Sequence, residues 1–449
     1  MSEQDHPTVI GSTVRARLAA QLGKDDAFVV ALSGGRDSIV LLDALLAARD
    51  ARLRGAVHVH HGISPNADAW AAFCERTCRE RDVAFVLRRV DVPRTPRTSL
   101  ESQARSVRYA ALVDAAQAMG ASVVALGHHR DDQAETLLLQ LLRGAGPRGL
   151  ASMPPMRSDP RGVRWWRPLL DVARVDIDAY AGHRRLAWID DESNALTHHA
   201  RNAIRHTVMP ALAAVSPAAA ATLARAAALQ ADAAMLADDL AAMDARDAFD
   251  GESLAQAALA SLPDHRARNL LRWFIHARGL PAPSFARLAA MLAQLRAPRG
   301  DAMTQLRHAD AVIGEYRGRI HVHASAPLPY EVQWDGVQDL ELAHGVLRAM
   351  QAEHDGIDAR RLASATLHVR SRRGGERMQL AANRPRRALK SILQEAGVAP
   401  WQRASLPLVM SGDEIVAVPG IGVDAAWQAP KGARGVVLTW TPRAMNPSH

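Results

Sequence analysis

Six consecutive residues, Ser33-Gly34-Gly35-Arg36-Asp37-Ser38, combine the parts of a phosphate cradle. Two glycines let a backbone turn tightly and come close to an anion. Ser33 and Ser38 add hydroxyl donors, and Arg36 adds a guanidinium. Asp37 is the odd member, since a carboxylate beside phosphates repels them. It makes sense as a Mg²⁺ partner or as a cap on backbone N–H groups. The loop is not the lysine-bearing GxxxxGK[ST] type, because it contains no lysine, and it is not GxGxxG. The plain alternative is an ordinary serine-capped Gly-Gly turn.

A second dense stretch is Gly127-His128-His129-Arg130-Asp131-Asp132-Gln133-Ala134-Glu135-Thr136. Asp131 and Glu135 are four apart and Asp132 and Glu135 three apart, so on a helix they share a face near its N-terminus. Acids at that end are favoured by the helix dipole alone. Three acids with two histidines exceed what a cap needs, and they suit Mg²⁺ or a cationic substrate. His60, His61 and His128 suit a phosphate or a developing negative charge. No ordered ligand spacing among the histidines supports zinc. Arg201 and Arg205, one helical turn apart, suit an anion or a solvated helix face.

These residues need a scaffold, and the pattern around them supplies one. Ala27 to Leu32 is an apolar run that reads as a buried parallel strand, and Ile39 to Leu46 reads as a helix. Gly55–His60, Val83–Val90 and Ser122–Leu126 read as further strands. Asn66–Arg81, Glu101–Met119 and Asp131–Arg143 read as helices. Repeated strand–helix units imply a parallel sheet covered on both faces, with ligands at the carboxyl ends of its strands. Ser33-Gly34-Gly35, His60-His61-Gly62 and Gly127-His128-His129 all follow strands and are expected to line one crevice. Leu142 to Leu150 reads as a basic Gly/Pro loop.

Beyond residue 215 the chain turns alanine-rich and helical to about Asp247, with more helices over Leu262–Arg296 and β-structure from Pro327 to Leu347. Leu367–Trp440 is again different. Arg370, Arg372, Arg373, Arg377, Arg384, Arg386, Arg387 and Lys390 crowd one span, followed by Trp401 and Arg403. Basic groups beside an aromatic fit a nucleic-acid surface.

The bulk numbers agree with such a partner. The chain has 449 residues, enough for two to four domains, 48% hydrophobic residues and a formal charge of +8. Nearly all the positive charge is arginine, with lysine only at Lys24, Lys390 and Lys431. Two cysteines, Cys74 and Cys78, support neither a disulfide framework nor a structural zinc site. No membrane-spanning run and no signal-peptide pattern is present, so a soluble cytoplasmic protein is expected.

SGGRDS after a strand resembles the pyrophosphate loop of the ATP pyrophosphatases. SGGRDS, VHVHHG, ESQARSVRYAAL, GHHRDDQAETLLLQLLRGAGPRGL, RPLL and DESN followed by RNAIR occur in the order seen in bacterial tRNA(Ile)-lysidine synthetases. RRGGERMQL, RRALKSILQEAGVAPWQRASLPLV and DEIVAVPGIGVD resemble that family's carboxy-terminal domain. The resemblance implies an α/β fold: a parallel-sheet nucleotide-binding PP-loop domain over 1–215, a mainly helical tRNA-facing middle domain over 216–330, and a linker with a small α/β tRNA-binding domain over 331–449. It implies a ligase that uses ATP and Mg²⁺ to join free L-lysine to C2 of the wobble cytidine of CAU-anticodon isoleucine tRNA, as a monomer or homodimer. On that reading Ser33, Gly34, Gly35, Arg36, Asp37, Ser38 and His60 bind ATP, with Asp37 on Mg²⁺. Asp37, His128, Asp131, Asp132 and Glu135 serve catalysis, the last three also receiving lysine. Arg108, Arg201 and Arg205 contact AMP or RNA, and Arg377, Lys390, Trp401 and Arg403 contact RNA. The alternatives are a tRNA thiolase of the same superfamily, which needs a reactive cysteine near the nucleotide, and a non-catalytic RNA-binding protein.

Overall fold

The computed structural model describes residues 6–93, 100–190, 200–297, 304–353 and 355–443. The DESN motif, 191–194, lies outside the described residues, as do 195–199. The chain forms two compact units, Met1–Leu236 and Ala237–His449.

In the first unit α1 (His6–Gln21) precedes β1 (Phe28–Ala31), α2 (Arg36–Ala47), β2 (Leu53–His60), α3 (Ala67–Arg79), β3 (Phe85–Arg89), α4 (Leu100–Ala118), β4 (Val123–Ala125) and α5 (Arg130–Leu142). Next come the one-turn α6 (Pro147–Leu150), β5 (Met156–Ser158), β6 (Arg164–Trp166), α7 (Arg174–His183) and α8 (Ala200–Ala203). A π-turn over Ile204–Val208 then joins α9 (Met209–Val215). The strand order is β3-β2-β1-β4-β6-β5, all parallel except the edge strand β5. The chain runs outward from β1 to β3 and then returns to place β4 on the other side of β1. That reversal opens a crevice at the carboxyl ends of β1 and β4.

Side chains alternate between the two faces of this sheet, as the pleat requires. Phe28, Val30, Val123, Ala125 and Trp166 pack in one core with α1, α2, α3 and α7. Val29, Val57, Val124 and Trp165 pack in the other with Leu112, Val113 and Ala116 of α4. Both faces are dry, so the strands read as continuous apolar runs. One buried charge bridges helices: the Asp43 carboxylate of α2 accepts from Tyr180 Oη at 2.9 Å and Arg184 Nε at 2.9 Å, tying α2 to α7.

Helix α10 (Ala219–Ala245) leads to the second unit. There β7 (Ser253–Ala255), α11 (Gln256–Ser261), α12 (Asp264–Ala277), α13 (Phe285–Arg296), β8 (Gln305–His308), β9 (Ala311–Tyr316) and β10 (Arg319–Ala324) share one core. It contains Leu270, Leu271, Phe274, Ile275, Leu292, Ile313 and Ile320. The helices match the expectation for this region. The antiparallel sheet β7-β10-β9-β8 beneath them was not anticipated. The helices' arginines are largely neutralised, with Arg266 paired to Asp244 and Arg272 to Asp238.

The remainder contains β11 (Glu331–Trp334), β12 (Leu340–Leu342), β13 (Gly345–Glu353), β14 (Ile357–Asp358), α14 (Ala359–Ser364), β15 (Leu367–Arg370), β16 (Arg377–Met378) and β17 (Arg387–Ala388). It ends with α15 (Leu389–Glu395), α16 (Pro400–Ser405), β18 (Leu408–Ser411), β19 (Glu414–Val418), β20 (Gly422–Val423) and β21 (Arg434–Pro442). Two antiparallel sheets, β11-β15-β18-β19-β20 and β12-β13-β21-β14, meet around Trp334, Val369, Val409 and Trp427. No single described helix is long and apolar enough to cross a membrane.

Candidate active site

The loop after β1 is shaped by what presses on it. Gly34 has φ +88°, and a Cβ there would lie 2.6 Å from Ile189 Cδ1 and 3.1 Å from Cys74 Sγ. Ile189 also donates its N–H to Gly34 O at 2.9 Å, closing the loop from above. From below, a Cβ on Gly127 would come within 3.0 Å of the Asp37 carbonyl. Glycine at 127 therefore lets the end of β4 touch the start of α2. Ser38 Oγ donates to Gly35 O at 2.8 Å and sits 3.1 Å from Ser33 Oγ. Helix α2 starts without a side-chain cap. Its first N–H groups are thus left for an anion, with the dipole's positive end behind them.

These residues open on a cleft of about 770 Å³, lined by Ser33, Gly35, Arg36, Asp37, Ser38, His60, His61, Arg108, Ile189 and Arg205, with Val57, Ile63 and Trp70 as apolar wall. A nucleotide needs this mixture of apolar wall and a few convergent polar groups. Burial, followed by the charge of Arg108, pushes His61 down to about 4, so it is a neutral donor or acceptor near pH 7. His60 lies 3.2 Å from Asp68 Oδ1 and 3.3 Å from Arg89 Nη1. No described carboxylate pairs with Arg108. His128 and His129 are not in the lining, contrary to the expectation that all three strand ends would share it.

His129 instead lies beneath the loop, 1% exposed, with its ring among three carboxylates. Nε2 is 3.6 Å from both Asp37 Oδ2 and Asp132 Oδ2, and Nδ1 is 3.7 Å from Asp131 Oδ2. Burial works against its charge, but Asp131, Asp37 and Asp132 outweigh it and raise the pKa to about 10. The reciprocal effect acts on Asp37. Burial opposes ionisation, yet His129 and then Arg36 hold the carboxyl at about 2. His128 behaves oppositely: burial, aided by Arg167, Arg201 and Arg105 and only partly offset by Asp132, drives it to about 3. Adjacent histidines thus carry opposite charge states.

The acids of α5 are not free. Asp132 Oδ2 accepts from the His129 backbone N–H at 3.0 Å, and its Oδ1 is 3.1 Å from Arg205 Nη2. Glu135, 2% exposed, accepts from Arg205 Nε at 2.6 Å and Arg201 Nε at 3.1 Å. Asp131 accepts the Arg174 N–H at 3.0 Å. Arg201 and Arg205, expected on AMP or RNA, here face these carboxylates, and Arg205 also reaches the cleft.

In the second unit two of the expected RNA contacts also take part in packing. Trp401 stacks on His323, with centroids 4.4 Å apart and planes 7° from parallel, and meets Tyr316 edge-on. Arg403 is 9% exposed and donates to Val398 O at 2.7 Å. Arg403 still borders a shallow cavity of about 370 Å³ with Arg372 and Lys390. Most other arginines there are paired: Arg370 with Glu376, Arg373 with Glu331, Arg386 with Asp424 and Arg387 with Glu395. Arg377 and Lys390 pair with no described carboxylate.

Cys74 is closer to the loop than its place on α3 suggested. It nonetheless lies fully buried, 3.5 Å from His58 Nδ1, and burial pushes its thiol up to about 12 and that of Cys78 to about 11. Neither is a nucleophile in this state. Sequence reasoning also missed His58, whose Nδ1 is 2.8 Å from Leu32 O, and Ile189 and Arg174 at the cleft. His58 stands inside VHVHHG, where no role was attached to it.

The fold and the cleft define a PP-loop nucleotide-binding domain, and a family model for the PP-loop domain matches residues 11–212. The models for the TilS substrate binding domain and the TilS substrate C-terminal domain match 254–321 and 367–440. A tRNA(Ile)-lysidine synthase of Nitrosomonas europaea is 39% identical over 454 aligned residues, covering 99% of this chain and 98% of its own. One of an Azoarcus species is 43% identical over 428, covering 94% of each. The chain belongs to the tRNA(Ile)-lysidine synthase family. A solved U34-tRNA thiolase of Methanococcus maripaludis, 17% identical, has a TM-score of 0.42 over 51% of this chain and 79% of its own, too low to bear on activity.

Proposed function

We propose that this protein ligates free lysine to C2 of the wobble cytidine of a CAU-anticodon isoleucine tRNA in the cytoplasm, through an adenylated cytidine. The supporting observation is the uncapped start of α2 in a cleft lined by Asp37, which His129 holds from beneath the loop, within a chain collinear with its named relatives. ATP's β and γ phosphates take the α2 N–H groups, Ser33 and Ser38. The cytidine O2 attacks the α phosphorus, and pyrophosphate leaves. His60 and His61, both in the cleft lining, donate to the charge that develops, whereas neutral His128 lies outside that lining. The lysine ε-amine then attacks C2, AMP leaves, and a carboxylate of the α5 layer takes the amine's proton.

Asp37 fits Mg²⁺. It is fully ionised at neutral pH and keeps a side chain 36% exposed beside the phosphate loop, the usual arrangement of one carboxylate plus substrate phosphates. The ion would neutralise the separating phosphates. Asp131, Asp132 and Glu135 receive lysine's ammonium. Arg201 and Arg205 orient Asp132 and Glu135, and turn to RNA phosphates as the substrates enter. The test is tRNA-dependent cleavage of ATP to AMP and pyrophosphate. Asp37→Ala is expected to lower it by about 100-fold or more, and normal turnover in that variant contradicts the assignment.

A further inference from the structure

The shallow cavity of the second unit has no part in the scheme above. Its volume is about 370 Å³, and three cations, Arg372, Lys390 and Arg403, line it, with the rings of Pro327, Pro329 and Pro400 as apolar wall. One edge is a tight loop. Gly374 and Gly375 have φ +91° and +80°, and a Cβ on either would meet nothing within 4 Å, so the loop stands clear of its surroundings. Glu376 folds it, accepting the Gly374 N–H at 3.1 Å and pairing with Arg370 at 3.2 Å. That carboxylate is therefore already shared. Arg372 approaches it only to 3.9 Å, and its Nε is buried without a hydrogen-bond partner. Arg403 is held by neutral acceptors, with Nε on Val398 O at 2.7 Å and Nη2 on Tyr316 Oη at 3.4 Å. Among the described residues no carboxylate pairs with Lys390 or Arg403. Three cations thus converge on one concavity with a single, shared counter-charge, so the cavity suits an anion of more than one charge.

We propose that this cavity receives the phosphomonoester at the 5′ end of the tRNA. This rests on the reading that a tRNA is the substrate. The 5′ end carries the one phosphate of such an RNA that is not a diester. Its charge at pH 7 lies between about −1.5 and −2, against about −1 for each diester. An internal phosphate, tethered to ribose on both sides, runs along an open surface and is met there by exposed side chains. A terminal phosphate is tethered on one side only and turns into a concave site, with its ribose against the proline wall. A cavity of this size takes the end of one nucleotide and not a duplex. The site is also preorganised: the prolines are rigid and Arg403 is already fixed, so little freedom is lost on binding. An order of events follows. The endonucleolytic cleavage that leaves a 5′-phosphate precedes ligation, because a 5′ leader turns this phosphate into a diester.

The experiment measures Kd of the full chain for three forms of unmodified CAU-anticodon isoleucine tRNA: with a 5′-phosphate, with a 5′-hydroxyl, and extended at its 5′ end. Wild type, Lys390→Gln, Arg372→Gln and the double variant are compared. Wild type is expected to bind the 5′-phosphate form about 10-fold more tightly than either other form, as for charge-assisted contacts. The preference should fall at least about threefold in each single variant and vanish in the double, while affinity for the 5′-hydroxyl form stays within about twofold. Lys390 is exposed, so Lys390→Gln reads the cavity even if Arg372→Gln folds poorly. Equal binding of the three forms by wild type overturns the proposal; GMP bound more tightly by wild type than by the double variant would then assign the cavity to a free nucleotide. Variants that weaken all three forms alike also overturn it, since that is the pattern of an ordinary backbone contact. Lysine incorporation into the 5′-phosphate form is assayed separately. Wild type that prefers this form yet incorporates no lysine upholds the 5′-end site and overturns the ligation reading, whereas wild type that binds none of the three overturns both.

Discussion

His129 has carboxylates around both ring nitrogens and almost no solvent, so its proton is held by charge. Its folded pKa, about 10, exceeds its ordinary value of 6.5. The stability it contributes is therefore full below about pH 6.5 and lost as pH rises through about 10. Asp37 is depressed from 3.8 to about 2, so its contribution is full above about pH 3.8 and lost as pH falls through about 2. Denaturant titrations of His129→Gln should show a loss of about 3 kcal/mol at pH 7, since three carboxylates lose their counter-charge. They should also show a flatter decline between pH 7 and 10 than wild type. An identical pH profile contradicts the charged assignment. Asp37 was legible because the six-residue loop has few other uses. The opposite states of His128 and His129 were not, because adjacent identical residues differ only in what the fold brings to each.

Helix α2 lies against β4 because Gly127 has no Cβ, and the phosphate loop lies under Ile189 because Gly34 has none. Gly127→Ala should push the Asp37 backbone away and raise KM for ATP. Its expected destabilisation is about 1–3 kcal/mol, as for other overpacked sites, read by thermal melting. Unchanged ATP affinity would separate this contact from the site. Trp401→Ala should destabilise the second unit by about 1–2 kcal/mol through its lost stacking, with tRNA affinity of the folded fraction retained. Loss of RNA binding with stability intact would restore the exposed-platform reading. The N-terminal strands and helices were legible because apolar runs and glycine turns alternate regularly there. The sheet β8 to β10 was not: Gln305–Ala324 places arginines and histidines among its strand residues, and its short runs resemble loops. Trp401 is ambiguous in the sequence for a related reason. An aromatic among arginines looks the same whether it awaits a base or stacks on a histidine across a fold.

Across the whole chain, a charge of +8 carried mainly by arginine favours RNA, but many of those arginines are already paired. The cations left for phosphates are fewer, with Arg377 and Lys390 among them. Replacing either with alanine should weaken binding of all tRNAs about equally and lower the slope of log affinity against log salt by about one. A variant that changes selectivity with an unchanged slope would argue against a phosphate contact. The order of motifs along the chain made the family legible. The pairing of α5's acids with Arg201 and Arg205 was not, since it joins residues about seventy positions apart. The central claim, that nucleotide cleft and acid layer together activate a cytidine and deliver lysine to it, is tested by incubating the protein with labelled lysine, ATP, Mg²⁺ and unmodified CAU-anticodon isoleucine tRNA. Label should enter the RNA only when ATP is present, with one pyrophosphate and one AMP released per lysine, and methionine tRNA should remain unlabelled. ATP cleavage that leaves the RNA without lysine would contradict the account.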